Sequence, residues 1–460
     1  MRATAEYERK LDAPVGFRLP ELGGEPLEPR VFTSVYYDVP GGSLAGAGIT
    51  LRRRTEHGRS VWQLKLPSDG FRLELEVEGG PSRPPRELVD LLQAHLRHGP
   101  LEKVAELRTR RRGELVARDG TTAEITVDEV AVMEARRVRD RFVEVEVELR
   151  AGSPGRLNAL AEEIAEAGAE EGHGLPKLFR ALDLEPSPEP DATTPFAALQ
   201  GRLREQLREI ERNDPGTRLG RDPESLHDMR VGVRRLRALL RAGRDLLATG
   251  TAQLDARLKE LGAVLGDVRD LDVLLERLEG EAAELAGDDA KHAKTLLARL
   301  RRERSDKRRR LLATLRSDAY LALLDDTART IETLETSGAD ITLDELAAKA
   351  GRKVRRAVRE LPDDPSDDAL HAVRKKGKRA RYAAELGGKK KVVRRAKALQ
   401  DVLGEHQDAV VASERLRELA SRGSAEQAVA AGRLIEREGG RRAEARSAWP
   451  KAWKRLRKAL

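Results

Sequence analysis

His227-Asp-Met-Arg230-Val-Gly-Val-Arg234-Arg235-Leu-Arg237 and His371-Ala-Val-Arg374-Lys375-Lys-Gly-Lys378-Arg379-Ala-Arg381 are two copies of one pattern. In each, a histidine, an arginine, two bases and an arginine fall at offsets 0, 3, 7, 8 and 10. A second element follows each copy. Leu261-Gly-Ala-Val-Leu265-Gly266-Asp-Val-Arg-Asp270 aligns with Leu399-Gln-Asp-Val-Leu403-Gly404-Glu-His406-Gln-Asp408. A pattern repeated at this distance marks a duplicated helical unit. Offsets 0, 3, 7 and 10 share one face of a helix, so each copy presents a basic stripe. Residues 229–243 contain no Asp or Glu to neutralise the first stripe. A stripe of like charge is destabilising unless an anion binds it, and two such stripes suggest one extended polyanion.

The 460 residues allow two or three domains. Net charge is +8, but it is unevenly spread: residues 1–185 carry 28 Lys/Arg against 33 Asp/Glu, and the remainder carries 59 against 46. A basic half joined to an acidic half points to polyanions as ligands of the basic half. The chain has no cysteine, which excludes disulfides, thiolate nucleophiles and Cys-ligated zinc. No long apolar run or signal-peptide core is present, so the expectation is a cytoplasmic protein with no membrane partner. Aromatic residues are only 3% of the chain, which argues against base stacking on single-stranded nucleic acid.

Glu185-Pro-Ser-Pro-Glu-Pro-Asp-Ala-Thr-Thr-Pro195 divides the chain. Its composition reads as a semi-rigid linker at 186–195, between a unit at 1–185 and a helical unit at 196–460. Before it the hydrophobic period is two; after it the period is 3.6, with Ala, Leu, Glu and Arg dominant. Proline falls largely at breaks such as Asp222-Pro223 and Leu361-Pro-Asp-Asp-Pro365. In the first unit Phe71–Glu78 alternates apolar residues with Arg72, Glu74, Glu76 and Glu78, and Phe142–Leu149 alternates with Glu144, Glu146 and Glu148. Glu6, Glu8 and Lys10 share another face. Basic strands run through Arg52 and Arg54, Lys65, and Arg108 to Arg112. Helices are expected over Arg86–His98 and Ser153–Ala167.

Alternation alone fits a sheet with one wet polar face. The charges, however, are sorted by strand and come as like-signed pairs at spacing two. Such pairs repel on a shared face. Carboxylates held together suit Mg²⁺ or Mn²⁺, and paired arginines suit phosphate oxygens.

Glu6-x-Glu8-x-Lys10, Tyr36-Tyr37-Asp38, Leu51-Arg52-x-Arg54, Leu64-Lys65, Arg72-x-Glu74 and Glu144-x-Glu146-x-Glu148 together resemble the CYTH domain, also called the triphosphate tunnel metalloenzymes. The resemblance covers roughly residues 2–185. It implies an eight-stranded antiparallel barrel with a charged interior, and cleavage or cyclisation of triphosphates with Mg²⁺ or Mn²⁺. By position it implies metal ligation by Glu6, Glu8, Glu146 and Glu148, with Glu144 in register as a substitute for either of the last two. It implies phosphate binding by Arg52, Arg54, Lys65, Arg72, Arg108, Arg110 and Lys177. Lys10 would orient or deprotonate the attacking water. Where the family often has Ser-Lys, this chain has Pro176-Lys177. Asp128 would be an acidic residue of the same interior or one half of a structural ion pair.

The repeated half resembles the CHAD domain, named for its recurring histidines, over about 195–458. The matching residues are His227, Arg230, Arg234, Arg235 and Arg237, then His371, Arg374, Lys375, Lys378, Arg379, Arg381 and Tyr382. Leu403-Gly404-Glu-His406-x-Asp408 matches as well, with Val268 in place of the His406 equivalent in the first copy. The resemblance implies two related four-helix bundles around a basic surface that binds inorganic polyphosphate. The expected fold class is therefore an α+β multidomain chain: an eight-stranded antiparallel β-barrel with flanking helices, then an all-α pair of four-helix bundles.

The function expected is hydrolysis of inorganic triphosphate to pyrophosphate and phosphate, joined to a polyphosphate-binding module that could associate with polyphosphate granules. Alternatives from other classes are a non-catalytic polyphosphate-binding protein, an adenylate cyclase, and a nucleoside or thiamine triphosphatase. Nucleic-acid binding ranks below these, because no recognised motif accompanies the basic charge. Oligomeric state is left open.

Overall fold

A computed structural model of the chain describes residues 1–68, 70–80, 83–171, 176–182, 193–248 and 250–460. It divides into two units, Met1–Pro188 and Glu189–Leu460. Most of the expected linker, residues 186–192, lies outside the described residues.

The first unit is built on eleven strands: β1 (Arg2–Glu6), β2 (Glu8–Ala13), β3 (Glu25–Pro26), β4 (Arg30–Asp38), β5 (Thr50–Glu56), β6 (Arg59–Ser68), β7 (Phe71–Glu78), β8 (Glu102–Arg118), β9 (Thr121–Glu134), β10 (Arg137–Ala151) and β11 (Glu170–Glu171). Helices α1 (Ser43–Gly46), α2 (Arg86–Val89), α3 (Gln93–Leu96), α4 (Leu157–Glu166) and α5 (Lys177–Leu182) lie between and after them. All pairings are antiparallel, in the order β1-β7-β6-β5-β4-β8-β9-β10-β2-β11, with β3 beside β8.

This corrects the expected eight-stranded closed barrel. The sheet has eleven strands, and its hydrogen-bonded ladder ends on β1 at one side and β11 at the other. A closed barrel needs a ladder between its end strands. Here the first segment breaks at Tyr7: β1 pairs with β7, while β2 pairs with β10. The helix expected over Arg86–His98 is also interrupted, by a 3₁₀ turn at Asp90–Leu92, and ends at Arg97 with φ 54°.

The alternation sorts the faces as its period demands, but the polar face is not wet. On β10, Val143, Val145 and Val147 join Ile125, Val127 and Leu11 in a core covered by Leu157, Leu160 and Ile164 of α4. Glu144, between them, is only 4% exposed, and Glu74 on β7 only 8%. The charged rows are thus enclosed, and each carboxylate must find a partner.

The second unit contains α6 (Pro195–Leu219), α7 (Pro223–Ala242), α8 (Ala252–Ala283), α9 (Asp288–Leu315), α10 (Asp318–Glu332), α11 (Leu343–Arg359), α12 (Asp367–Leu386), α13 (Lys390–Ala420) and α14 (Ala425–Arg457). Their starts are capped as the sequence directs. Asp222 accepts from Glu224 N–H ahead of α7, Ser366 from Ala369 N–H ahead of α12, and Thr342 with Glu345 forms a capping box. Two prolines, Pro215 and Pro450, nevertheless sit inside helices.

Two separate four-helix bundles are not what forms, which corrects the second part of the expected fold class. Leu271, Leu274 and Leu278 of α8 and Leu296, Leu297 and Leu300 of α9 pack in one cluster with Ala412 and Leu416 of α13 and Leu434 of α14. The repeats share a core, because the apolar faces of α8 and α13 are satisfied by each other's partners. Helices α7 and α12, which carry the two stripes, pack on one another.

Candidate functional site

Side chains from nine strands of the sheet unit converge on a cavity of about 370 Å³. Period two explains the lining. Glu6, Glu8 and Lys10 face it from β1 and β2, Arg52 and Arg54 from β5, and Lys65 from β6. Arg72, Glu74 and Glu76 face it from β7, and Glu146, Glu148 and Arg150 from β10. Thr109 and Arg111 of β8, Asp128 of β9 and Lys177 at the start of α5 complete this part of the lining.

One part of the cavity is closely compensated. Lys10 Nζ donates to Glu146 Oε1 at 2.6 Å and to Glu144 Oε1 at 3.1 Å, with Glu8 at 3.7 Å. Lys177 Nζ lies 2.6 Å from Glu146, 2.8 Å from Glu144 and 2.9 Å from Asp128. Arg111 forks onto Asp128 through two 2.7 Å hydrogen bonds and also pairs with Glu146. Burial works against the charge of Lys10, but Glu144, Glu146 and Glu8 outweigh it and hold its pKa well above the usual lysine range. Burial likewise opposes ionisation of Glu146, yet Lys10, Lys177 and Arg111 keep its pKa well below the usual carboxylate range.

In two other parts burial disfavours the charged form, of acids in one and of arginines in the other, although Arg150 pairs with Glu148 at 2.6 Å and Glu56 with Arg54 at 2.8 Å. Burial pushes Glu6 up to about 7, despite a 2.5 Å hydrogen bond from Lys65, and Glu74 adds to the effect. Burial pushes Glu148 up to about 7 as well, and Glu6 contributes. Glu8 is paired with Glu148 across the β2–β10 ladder. Glu74 Oε1 is buried without a hydrogen bond. On the cationic side, burial together with Arg52 and Arg30 pushes Arg54 down to about 10, and its guanidinium stacks 3.9 Å from the Phe32 ring centroid. Burial also lowers Arg72. Arg52 is oriented by hydrogen bonds to Gln63 Oε1 and Tyr36 Oη.

In the helical unit the stripes meet at the α7–α12 seam. Arg230 Nη1 donates to Asp270 Oδ1 of α8 at 2.8 Å, and Arg237 Nε to Asp255 of α8 at 3.0 Å. Arg234 Nε crosses the seam to Tyr382 Oη at 3.0 Å, and Arg381 lies 5.0 Å from the same ring. The matched glycines have a role the alignment did not show. A Cβ on Gly266 would lie 3.4 Å from Arg230 Nη2, and one on Gly404 would lie 3.5 Å from Arg374 Nη2. Each repeat thus seats its first stripe arginine over a helix face left bare by glycine. Burial and neighbouring cations lower both His227 and His371 below the usual imidazole range. Arg374 Nε and His371 Nδ1 are buried without a hydrogen bond.

The chain matches the CYTH domain over residues 4–178 and the CHAD domain over residues 201–417. This is a CYTH–CHAD protein. The uncharacterized proteins Rv2226 and MT2285 of Mycobacterium tuberculosis are each 32% identical to it over 458 residues, covering 89% of this chain and 88% of their own. Among solved structures, PptA from Streptomyces chartreusis is similar at 26% identity and TM-score 0.49, covering 56% of this chain and 99% of that one. The CHAD domain from the plant Ricinus communis is similar at 28% identity and TM-score 0.47, covering 56% and 90%. The CYTH fold family is generally implicated in triphosphate chemistry, and CYTH domains are generally metal-dependent. Among the described residues no helix is long and apolar enough to cross a membrane.

Not every expected site residue of the CYTH–CHAD protein reaches its site. In the CYTH domain Arg108 and Arg110 are exposed, and neither lines the cavity. The opposite parity, Thr109 and Arg111, faces inward. Arg111 lies within the basic run of β8 but outside the expected phosphate ligands, and it is the ion-pair partner of Asp128. In the CHAD domain Lys375 and Arg379 are exposed, one residue out of phase with Arg374 and Lys378. Arg235 is half-buried. His406 is 1% exposed and faces Asp367 at 3.1 Å, with Arg442 and Arg446 on the same carboxylate. It belongs to a contact joining α12, α13 and α14.

The carboxylates suit a divalent cation unequally. Among the described residues no three metal-ligating side chains are preassembled. Glu146 is saturated by Lys10, Lys177 and Arg111. Glu6, Glu8 and Glu148 fit better: burial pushes Glu6 and Glu148 up to about 7 against the pull of Lys65 and Arg150, a cation would offset that, and an all-oxygen set is what Mg²⁺ and Mn²⁺ take.

Proposed function

We propose that the CYTH domain hydrolyses inorganic triphosphate to pyrophosphate and phosphate with Mg²⁺ or Mn²⁺, and that the CHAD domain holds inorganic polyphosphate. One observation carries the first part. A single cavity contains carboxylates whose charge burial disfavours despite a basic partner, Glu6 and Glu148, and arginines whose charge burial disfavours, Arg54 and Arg72. A metal-bound phosphate chain would relieve both at once. Phosphoryl transfer depends mainly on such positioning and charge neutralisation.

In this reading Glu6, Glu8 and Glu148 hold the cation, and the group would neutralise phosphate charge and polarise the attacking water. Arg52, Arg54, Arg72 and Arg111 bind phosphate oxygens, and Lys65 bridges them to Glu6. Lys10 stays protonated, so it donates a hydrogen bond to water or phosphate and does not act as a base. The same polyanion chemistry carries the CHAD part, where Arg230, Arg234, Arg374, Lys378 and Arg381 meet at one seam.

The test is the full chain with Mg²⁺ or Mn²⁺ and a panel of triphosphates, following phosphate, pyrophosphate and cyclic AMP. Turnover of inorganic triphosphate that chelation abolishes is the expected result. Cyclic AMP from ATP would replace hydrolysis by cyclisation. Polyphosphate binding with no turnover of any triphosphate would leave a binding protein.

The two parities of β8 give a sharp comparison. Arg111→Ala is expected to lower kcat/KM on the order of 10²-fold. It should also cost about 3 kcal/mol of stability, because Asp128, fully buried, loses its fork. Arg108→Ala and Arg110→Ala, on exposed sites, should stay within about 0.5 kcal/mol of the parent and keep activity. Steady-state kinetics with thermal melts of the three variants checks this. Loss of activity in Arg108→Ala with none in Arg111→Ala would reverse the assignment.

A further inference from the structure

We infer that the two repeats do not share a polyphosphate chain equally: the α12 stripe is the open capture site, and the α7 stripe is latched by two carboxylates of α8 that phosphate must displace. The inference rests on the polyphosphate reading of the CHAD domain. In the first repeat Asp270 takes Arg230 through Nη1 at 2.8 Å and Nη2 at 3.4 Å. Asp255 takes Arg237 Nε at 3.0 Å and Arg241 at 2.6 and 3.1 Å. Arg234 crosses the seam to the neutral Tyr382 Oη at 3.0 Å. In the second repeat the equivalent contacts are missing. The charge of Asp408, the counterpart of Asp270, acts on Arg374, yet no hydrogen bond or ion pair joins the two among the described residues. Arg374 Nε is instead a buried donor with no acceptor. Arg381 keeps Glu385 of its own helix at 3.2 Å, but its Nε is likewise buried without a hydrogen bond.

The sequence accounts for the difference. Asp255 is the fourth residue of α8, and the fourth residue of α13, its counterpart, is Val393. The acid that holds Arg237 therefore has no equivalent in the second repeat. Arg241 lies fourteen residues after His227, and the residue fourteen after His371 is Glu385. The first arginines are seated alike, Arg230 over Gly266 and Arg374 over Gly404, so the inequality lies in the acids. A buried donor without an acceptor is costly, and the α12 stripe gains a hydrogen bond outright when phosphate arrives. The α7 arginines must first give up a carboxylate. A partly exposed pair of this kind holds by a factor of about 1.5 to 5, so phosphate can open the latch, but with a loss of affinity.

The experiment measures the affinity of the full chain for long-chain inorganic polyphosphate at moderate salt, with a chelator present so that no turnover intervenes. Asp255→Asn combined with Asp270→Asn is expected to tighten binding about three- to tenfold, since the freed arginines meet phosphate without displacing an acid. Asp408→Asn removes the same charge where no pair has to break, and should stay within about twofold of the parent. Val393→Asp puts the missing acid into the second repeat, at a helix start that suits it, and should weaken binding about threefold or more. Circular dichroism checks folding. Asp270→Asn alone, at a carboxylate 69% exposed, carries the comparison if the double variant does not fold. No tightening in the folded Asp255 and Asp270 variants, or equal tightening in Asp408→Asn, would overturn the unequal sharing, as would parental affinity in Val393→Asp. Absence of binding by the parent chain would instead overturn the polyphosphate reading itself.

Discussion

Glu6→Gln combined with Glu8→Gln is expected to remove triphosphate turnover, by about 10³-fold or more, while the chain still folds. The two residues face the cavity from strands consecutive in the chain, β1 and β2, and glutamine keeps their shape and part of their hydrogen bonding. What is lost is charge at the place where a cation would have to sit. Folding survives because the closely compensated cluster of Lys10, Lys177, Arg111, Asp128 and Glu146 keeps its short contacts: Glu6 is outside it, and Glu8 meets Lys10 only at 3.7 Å while Glu144 and Glu146 remain. Circular dichroism and phosphate release with Mg²⁺ or Mn²⁺ decide the matter. Undiminished activity in the folded double variant would rule out this metal assignment. Arg52→Ala or Arg54→Ala should behave differently, raising KM first and lowering kcat only if the phosphate contact tightens in the transition state.

Changing Arg230, Arg234, Arg374, Lys378 and Arg381 together to alanine should abolish polyphosphate binding by the CHAD domain. Each phosphate contact removed lowers the slope of log affinity against log salt by about 0.7 for a single-stranded polyanion, so five lost contacts mean a loss of about 10³-fold or more at moderate salt. Clearing α7 alone should already weaken binding strongly, because α7 and α12 pack together and one chain would engage both. Duplex DNA should compete poorly, since a stiff duplex cannot follow the seam as a flexible chain can. Equal affinity for DNA and polyphosphate at matched charge would favour a nucleic-acid ligand. Binding retained after both stripes are cleared would move the ligand to another face, of which exposed Lys375 and Arg379 form a part.

Those two residues illustrate a limit of periodic reasoning. Offsets of 0, 3, 7 and 10 placed His371, Arg374, Lys378 and Arg381 on one face, and they lie there. The intervening bases at 375 and 379 matched the family pattern without sharing that face. The same holds on β8, where Arg108, Arg110, Arg111 and Arg112 make both faces basic. Alternation then cannot choose a parity. The pairing of Arg111 with Asp128 across the β8–β9 ladder does.

The sequence by itself determined the two units, the period in each, the duplicated stripe, and the rows Glu6-x-Glu8, Arg52-x-Arg54 and Glu144-x-Glu146-x-Glu148. These are local properties, since a period of two or 3.6 fixes which residues share a face whatever packs against it. Only the tertiary structure decided which acids answer which bases. Asp255 and Asp270 reach the first stripe from α8, and Glu146 is taken by Lys10, Lys177 and Arg111 from three separate elements. It also decided that the strand ladder ends on β1 and β11 without closing, and that the helical repeats share one core. Ladders, ion pairs and cores join residues far apart in the chain, and no local period carries their register.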